Sequence, residues 1–346
     1  MKHSQRINSV AVLPSALAKA TNVYAVAISL HAMAVMAQTP APLTLPAPLT
    51  LPAPLTLPAP LTSPASLTPP LQLDADGIQM LLPGKPSGTA LALRAQDPNT
   101  SRAFGFDYKA VAQTASERGV NFWTLASTPL TYSSRRTGYT ARLHLYASGG
   151  VQRYNWKTQN GFLSSAADVN NQEFTVYVRV HALREPSSAM VTLKIRGGGH
   201  HAKTPDDGSC TMMTFGPGGA PGIARFGKEL SHPNYDYVKL PTLTDARLGD
   251  NAWVGLKLIS YTPPGSADRV VNQLYVDTAA FDAAGKPANQ WRKLSEYVDI
   301  QGKSTGRYAT LVNWGGWQTT LRMDGYAALD FALPSVREIV PPATLP

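Results

Sequence analysis

The residues best suited to chemistry lie on segments that alternate apolar with polar side chains. In Glu173 to His181 (EFTVYVRVH), Phe174, Val176, Val178 and Val180 point one way and Thr175, Tyr177, Arg179 and His181 the other. Met190 to Arg196 (MVTLKIR) turns Thr192, Lys194 and Arg196 away from Val191, Leu193 and Ile195. Trp253 to Tyr261 (WVGLKLISY) presents Trp253, Lys257 and Tyr261, and Val270 to Asp277 (VVNQLYVD) presents Gln273 and Tyr275. If the four segments share one sheet, its solvent face carries cations, an imidazole, an amide and four aromatic rings, with no carboxylate. Such a face suits sugar, because flat rings stack on pyranoses while Arg and Lys pair with ring carboxylates or sulfates. The alternative is that loops cover the face and turn some of these rings into a second core.

Arg196 is followed by Gly197-Gly198-Gly199-His200-His201 and a loop containing Asp206 and Asp207. The glycines allow close backbone approach, and an imidazole beside an arginine could supply a base; a flexible loop with solvated histidines is the plainer reading. Neighbouring residues of an extended chain point to opposite sides, so His200 and His201 do not chelate one ion, and no metal is expected. Calcium in this loop is conceivable from Asp206 and Asp207, but no calcium-loop spacing supports it, so no cofactor is expected. His232 is a further candidate on similar terms, and Trp314-Gly315-Gly316-Trp317 offers either a stacking platform or a buried corner. The chain has no G-x-S-x-G elbow, no H-E-x-x-H and no phosphate loop. Glu229, Asp277, Asp299 and Asp330 could meet in space as a glycosidase pair, but no strand displays two carboxylates close together on one face.

The elements that must hold these residues are strands. From about Leu73 onward, alternating or β-branched stretches are separated by clusters of Gly, Pro, Asn and Asp. Shorter candidates are Gly138 to Tyr146, Ala309 to Trp314, Thr319 to Met323 and Tyr326 to Phe331, and Tyr108 to Arg118 is a short peripheral helix. Glu173 to His181 and Met190 to Arg196 are expected to form a hairpin. The fold class is all-β: two packed antiparallel sheets, a jelly roll or β-sandwich, over residues 73–340 with a tail at 341–346.

What precedes the sandwich bears on its surroundings. Lys2, Arg6 and Lys19, then the apolar run Val23 to Ala37, read as a secretory signal over residues 1–37, with a small-x-small site at Val35-Met36-Ala37. The run is too short to span a bilayer, so no stable membrane insertion is expected after cleavage. Residues 38–72 repeat PAPLTL and form a disordered, extended proline-rich linker. Export without a second cysteine leaves Cys210 as a buried small apolar residue. The chain has 31 Lys+Arg against 22 Asp+Glu, and removing the three leader cations leaves 28 against 22. This modest excess favours acidic partners outside the cell, although solubility alone would also account for it. Nucleic acid is not expected, since the cations are dispersed. Nothing in the sequence fixes the oligomeric state.

On Tyr177, Arg179 and His181, on Lys194 and Arg196, on Gln273 and Tyr275, and on the closing segment Leu321 to Ile339, the chain resembles the concanavalin-like jelly rolls of extracellular carbohydrate-active proteins, uronate-polysaccharide lyases among them. The resemblance implies a secreted or cell-envelope protein acting on an acidic polysaccharide. In a β-elimination, Arg179 or Arg196 with Gln273 would neutralise the uronate, His181 or His200 would take the C5 proton, and Tyr275 or Tyr177 would protonate the leaving oxygen. Tyr177, Lys194, Trp253, Lys257, Tyr261, Trp314 and Trp317 would hold the chain. A non-catalytic carbohydrate-binding module and a structural or adhesion protein stand as alternatives.

Overall fold

The computed structural model describes residues 71–93, 104–106, 112–133, 136–147, 168–181, 183–198, 209–216, 223–231, 234–241, 246, 248–249, 251–303 and 309–343. The leader, most of the proline-rich segment, and His200, His201, Asp206, Asp207 and His232 lie outside the described residues. The strands in chain order are β1 (Ala90–Ala92), β2 (Phe104–Phe106), β3 (Ala112–Glu117), β4 (Val120–Ala126), β5 (Thr128–Ser133), β6 (Arg136–Tyr146), β7 (Gln172–Val180) and β8 (Met190–Gly197). They continue as β9 (Cys210–Gly216), β10 (Ile223–Ser231), β11 (Asn234–Lys239), β12 (Trp253–Tyr261), β13 (Arg269–Asp277), β14 (Arg292–Ile300), β15 (Gln318–Asp324) and β16 (Ala328–Glu338).

Two antiparallel sheets result. The first runs β14-β13-β12-β7-β16-β4-β3 with β1 on β16, and the second runs β11-β10-β9-β8-β15-β6-β2 with β5 on β6. The alternation seen in sequence decides which faces meet. Phe174, Val176 and Val178 of β7, Leu256 and Leu258 of β12, and Leu274 and Val276 of β13 share one buried cluster with Leu143, Val191, Leu193, Met213, Phe215, Leu321 and Met323 of the second sheet. The architecture is therefore the all-β two-sheet sandwich that the strand pattern implied.

Three local expectations are corrected. β7 and β8 are not a hairpin: β7 pairs with β12 and β16, whereas β8 pairs with β9 and β15 in the other sheet. Where Tyr108 to Arg118 is described it is extended, because β3 pairs with β4 through a two-residue turn at Arg118 and Gly119. Both turn residues have positive φ, 50° and 82°, the geometry that matches the twist of the flanking strands. Ala309 to Trp314 is not a strand, and Val169 bridges instead to Gly316.

The outer face of the first sheet is covered. Ile78, Phe122, Tyr177 and Ala280 form one cluster there with Trp253, Phe281 and Trp291, while Ile259, Tyr261, Val271 and Ile339 form another with Leu81, Leu82 and Tyr275. Gly255 makes room for this layer, since a Cβ at that position would lie 2.8 Å from the Trp291 ring and 2.9 Å from the Tyr177 ring. Gly255→Ala is accordingly expected to destabilise the fold by about 1–3 kcal/mol through overpacking. Urea denaturation of the variant checks this, and an unchanged midpoint would mean that the layer yields freely.

Candidate functional site

The first sheet holds most of the side chains expected to act, and it holds them as structure. Tyr177 is fully buried, 4.6 Å from the Phe281 ring and 5.7 Å from Trp291, and burial pushes its hydroxyl well above the usual range. Lys257 gives its ammonium to Glu173 and to the Gln79 carbonyl, both at 2.6 Å, under the Trp291 ring. Tyr261 is buried, its hydroxyl pushed up to about 12 by burial. Gln273 donates to Glu296 at 2.9 Å and accepts from the Tyr275 hydroxyl at 3.2 Å. The Arg179 guanidinium lies 4.9 Å from both the Phe122 and Trp253 rings, and pairs with Asp330 at 2.7 Å and Glu117 at 2.6 Å. His181 meets the same Asp330 at 3.0 Å. These contacts fasten loops and edges to the sheet, and the expected sugar face on this sheet does not exist as an open surface.

Two further expectations also resolve as structure. Trp314 and Trp317 are buried with Tyr146 and Val312 in a corner cluster, so they form no exposed platform. Arg196 was expected to face outward with Lys194. In the ladder, however, Gln318 pairs with Gly197 and Thr320 with Lys194, so β8 carries an extra residue there, and Arg196 adopts φ 54°. A bulge of this kind re-aims the side chain. Arg196 is fully buried and donates to Ser260 of the first sheet at 3.0 Å and to the carbonyl of Trp314 at 3.4 Å. The four carboxylates considered as a glycosidase pair have separate partners: Glu229 holds Lys194, Asp299 holds Lys228, Asp330 holds Arg179, and Asp277 caps the backbone amides of Ala279 and Ala280.

Of the candidate residues within the described chain, Lys194 and Glu229 sit on the outer face of the second sheet, and there they have company that the sequence reading did not assemble. The register aligns outward positions across the strands. His144, Thr320, Lys194 and Met212 lie in one row, and Arg142, Arg322, Thr192 and Thr214 in the next. Glu229 pairs in register with Cys210 and Tyr235. Arg142 and Arg322 are thus directly opposite each other on adjacent strands, an arrangement of like charges that costs stability unless negative charge is brought to it. Asp324 supplies some, at 2.7 Å from Arg322.

This face is concave. β11 and β15 are four strands apart, about 19 Å on a flat sheet at ~4.8 Å per step. Yet the Tyr235 hydroxyl of β11 lies 3.4 Å from an Arg322 nitrogen of β15, and its ring 5.3 Å from the Lys194 ammonium. The sheet must curl outward for these side chains to meet. Gly227 assists, because a Cβ there would lie 2.9 Å from the Tyr237 ring, which stacks on Tyr235 at 5.9 Å.

The electrostatics are those of a held cation. Burial opposes the charge of Lys194, but the Cys210 sulfur, the Glu229 carboxylate at 2.9 Å and Tyr235 outweigh it and keep the ammonium above its usual range. Cys210 itself is pushed up to about 12, chiefly by burial, so its thiol is neutral at physiological pH and Glu229 is the partner that holds Lys194 there. Burial likewise raises the Tyr235 hydroxyl, against the opposing pull of Lys194, and keeps it protonated. Gln318 Nε2 and Thr320 Oγ1 lie 2.7 and 2.8 Å from His144 Nδ1 and fix the ring. Arg142, His144, Lys194, Glu229 and Gln318 line a small pocket of about 20 Å³, enough for a water. Among the described residues no group of His, Cys, Asp and Glu is arranged to hold a metal. The overlooked residues carried a signal: in ARLHLY of β6, Arg142, His144 and Tyr146 alternate with apolar residues just as Tyr177 and Arg179 do in β7.

Cys210 is the chain's single cysteine, so its environment can be read directly. Native protein at about pH 8, near a thiol's ordinary pKa, is expected to resist iodoacetamide and to react stoichiometrically once unfolded in urea. Rapid labelling of the native state, measured by mass spectrometry, would contradict the burial described.

No protein-family model matches the chain, and no curated protein sequence does. Solved structures do. A Bacteroides ovatus mixed-linkage glucan GH16 protein in complex with its product is 6% identical, over 73% of this chain and 96% of the other, at a TM-score of 0.36. The exoplasmic/lumenal domain of VIP36 bound to Ca2+ and Man3GlcNAc is 9% identical, over 73% and 90%, at 0.34. A variant of the alginate lyase Aly36B in complex with alginate tetrasaccharide is 13% identical, over 74% and 99%, at 0.28. These are loose likenesses, as the resemblance noted in the sequence was. Among the described residues, no helix is long and apolar enough to cross a membrane.

Proposed function

We propose that this protein acts outside the cell on an acidic polysaccharide, which it holds on the concave outer face of the second sheet and cleaves by β-elimination. One observation carries the reading: Arg142, Arg322 and Lys194 occupy neighbouring outward positions on β6, β15 and β8, beside an imidazole and beneath a tyrosine that the curl of the sheet brings over them. Arg142 and Lys194 would neutralise a uronate carboxylate and so acidify its C5 proton. His144 would take that proton. For this the Gln318 amide presents its oxygen to Nδ1–H, an orientation that the 2.7 Å contact allows equally well, leaving the lone pair on Nε2. The C5–H pair forms the C4–C5 double bond, the C4–O bond breaks, and the protonated Tyr235 gives its proton to the departing oxygen.

Simple binding is the second reading. It is favoured by the donor-rich character of the face and by the small size of the pocket beside His144. One assay separates them. Full-length protein is incubated with alginate, glucuronan and pectate, and absorbance of unsaturated uronate is followed. On the cleaved polymer, His144→Ala and Tyr235→Phe are each expected to lower kcat by about 10²–10⁴-fold. Arg142→Ala is expected to raise KM. Retention on a polyuronate gel without any rise in absorbance would leave a binding module and remove the lyase.

A further inference from the structure

The concave face does not end at the pocket beside His144. Further along the same strands lies a second pocket of about 360 Å³, lined by Gly138, Tyr139, Glu185, Ser188, Met190, Arg322 and Asp324. The two are consecutive along β15, whose outward residues Gln318 and Thr320 border the first while Arg322 and Asp324 border the second. From Gln318 to Asp324 the strand rises about 20 Å at ~3.3 Å per residue, so one extended glycan lying along it would occupy both.

Their charges are opposite. The charged residues of the first pocket are Arg142, Lys194 and Glu229, two cations against one carboxylate. Those of the second are Glu185, Asp324 and Arg322, two carboxylates against one guanidinium. The second pocket is also acceptor-rich in detail. Asp324 Oδ1 is buried and receives no hydrogen bond from any donor among the described residues. Glu185 takes the Ser188 hydroxyl on one oxygen at 2.9 Å. Tyr139 and Met190 supply half-buried apolar surface beside these acceptors, with the exposed Arg184 guanidinium 5.8 Å from the Tyr139 ring.

We propose that this second pocket is a subsite for an uncharged, hydroxyl-bearing sugar unit. The preferred substrate is then a heteropolysaccharide in which uronate and neutral sugar units are combined, rather than a homopolymeric uronate. The inference rests on the reading of the first pocket as the uronate site. A second uronate placed at Glu185 and Asp324 meets two carboxylates, whereas a hexose donates hydroxyls to both and covers Tyr139 and Met190 with a pyranose face.

The test is calorimetric titration of the full-length protein with two sets of oligosaccharides of equal length, one of uronate alone and one of uronate alternating with neutral hexose. The alternating set is expected to bind about tenfold more tightly. Glu185→Gln with Asp324→Asn is expected to abolish that preference by weakening the alternating set and relieving the repulsion of the uronate set. Met190→Trp fills the pocket without altering a charge and is expected to abolish the preference too, and it decides the matter if the double variant melts early. Equal or inverted affinity in the unaltered protein, or a preference that survives both variants, overturns the subsite while leaving the acidic-glycan reading in place. If neither set binds, that reading is overturned, and the subsite with it.

Discussion

The buried carboxylate of Glu173 is the constraint on which the rest of this structure turns. It is 2% exposed; it accepts from Lys257 at 2.6 Å and from the backbone amide of Leu81 at 3.3 Å, and it forms an ion pair with Arg337 at 2.6 Å. Taking three charges out of water is costly, and the cost is met only when the geometry is good and the remaining valences are satisfied. The geometry is close, and Lys257 completes its bonding on the Gln79 carbonyl. The group ties β7, β12 and β16 to the segment running from Asp74 to Leu82. That segment is in turn held by Asn289, which accepts from the Gln79 amide at 2.8 Å and donates to the Gly77 carbonyl at 2.8 Å. With both stretches in place, the outer face of the first sheet becomes an interior. The second sheet is left to present the polar surface.

This explains what could be read from the sequence and what could not. Strand positions and inward faces were legible because a period of two is a local property: Phe174, Val176 and Val178 go to the core whichever sheet receives β7. Sheet partnership is not local. EFTVYVRVH and ARLHLY carry the same alternation of apolar residues with cations and rings, yet Tyr177 of β7 packs under a cover of other segments, whereas Arg142 and His144 of β6, themselves 4% exposed, border a small pocket. The difference lies in a cover supplied by residues 71–85 and 278–291, far from β7 in sequence. The proximity of EFTVYVRVH to MVTLKIR suggested a hairpin, and sandwich connectivity separated them instead. A sign of burial was nonetheless present in composition. Tyr177, Trp253 and Tyr261 are more aromatic surface than a solvated face ordinarily shows, and Gly255 lies among them in a strand interior, where glycine marks close approach. Arg196 escaped for another reason, since a bulge reverses a side chain without changing the pattern of residue types.

The two sheets therefore place similar residues among different neighbours, although Arg142 and His144 are each only 4% exposed. Arg179 has two carboxylates and two aromatic rings about it and stabilises the fold, with nothing left to offer a ligand. On the second sheet, Lys194 is matched by Glu229, so its role is to place an ammonium at a fixed point more than to add net charge. In the proposed reading Lys194 would meet the anion together with Arg142. Arg142 and Arg322 face each other in register, with Asp324 at 2.7 Å from Arg322. On adjacent strands a like-charged pair costs stability unless neighbouring groups offset it, and for Arg322 the Asp324 carboxylate at 2.7 Å does so.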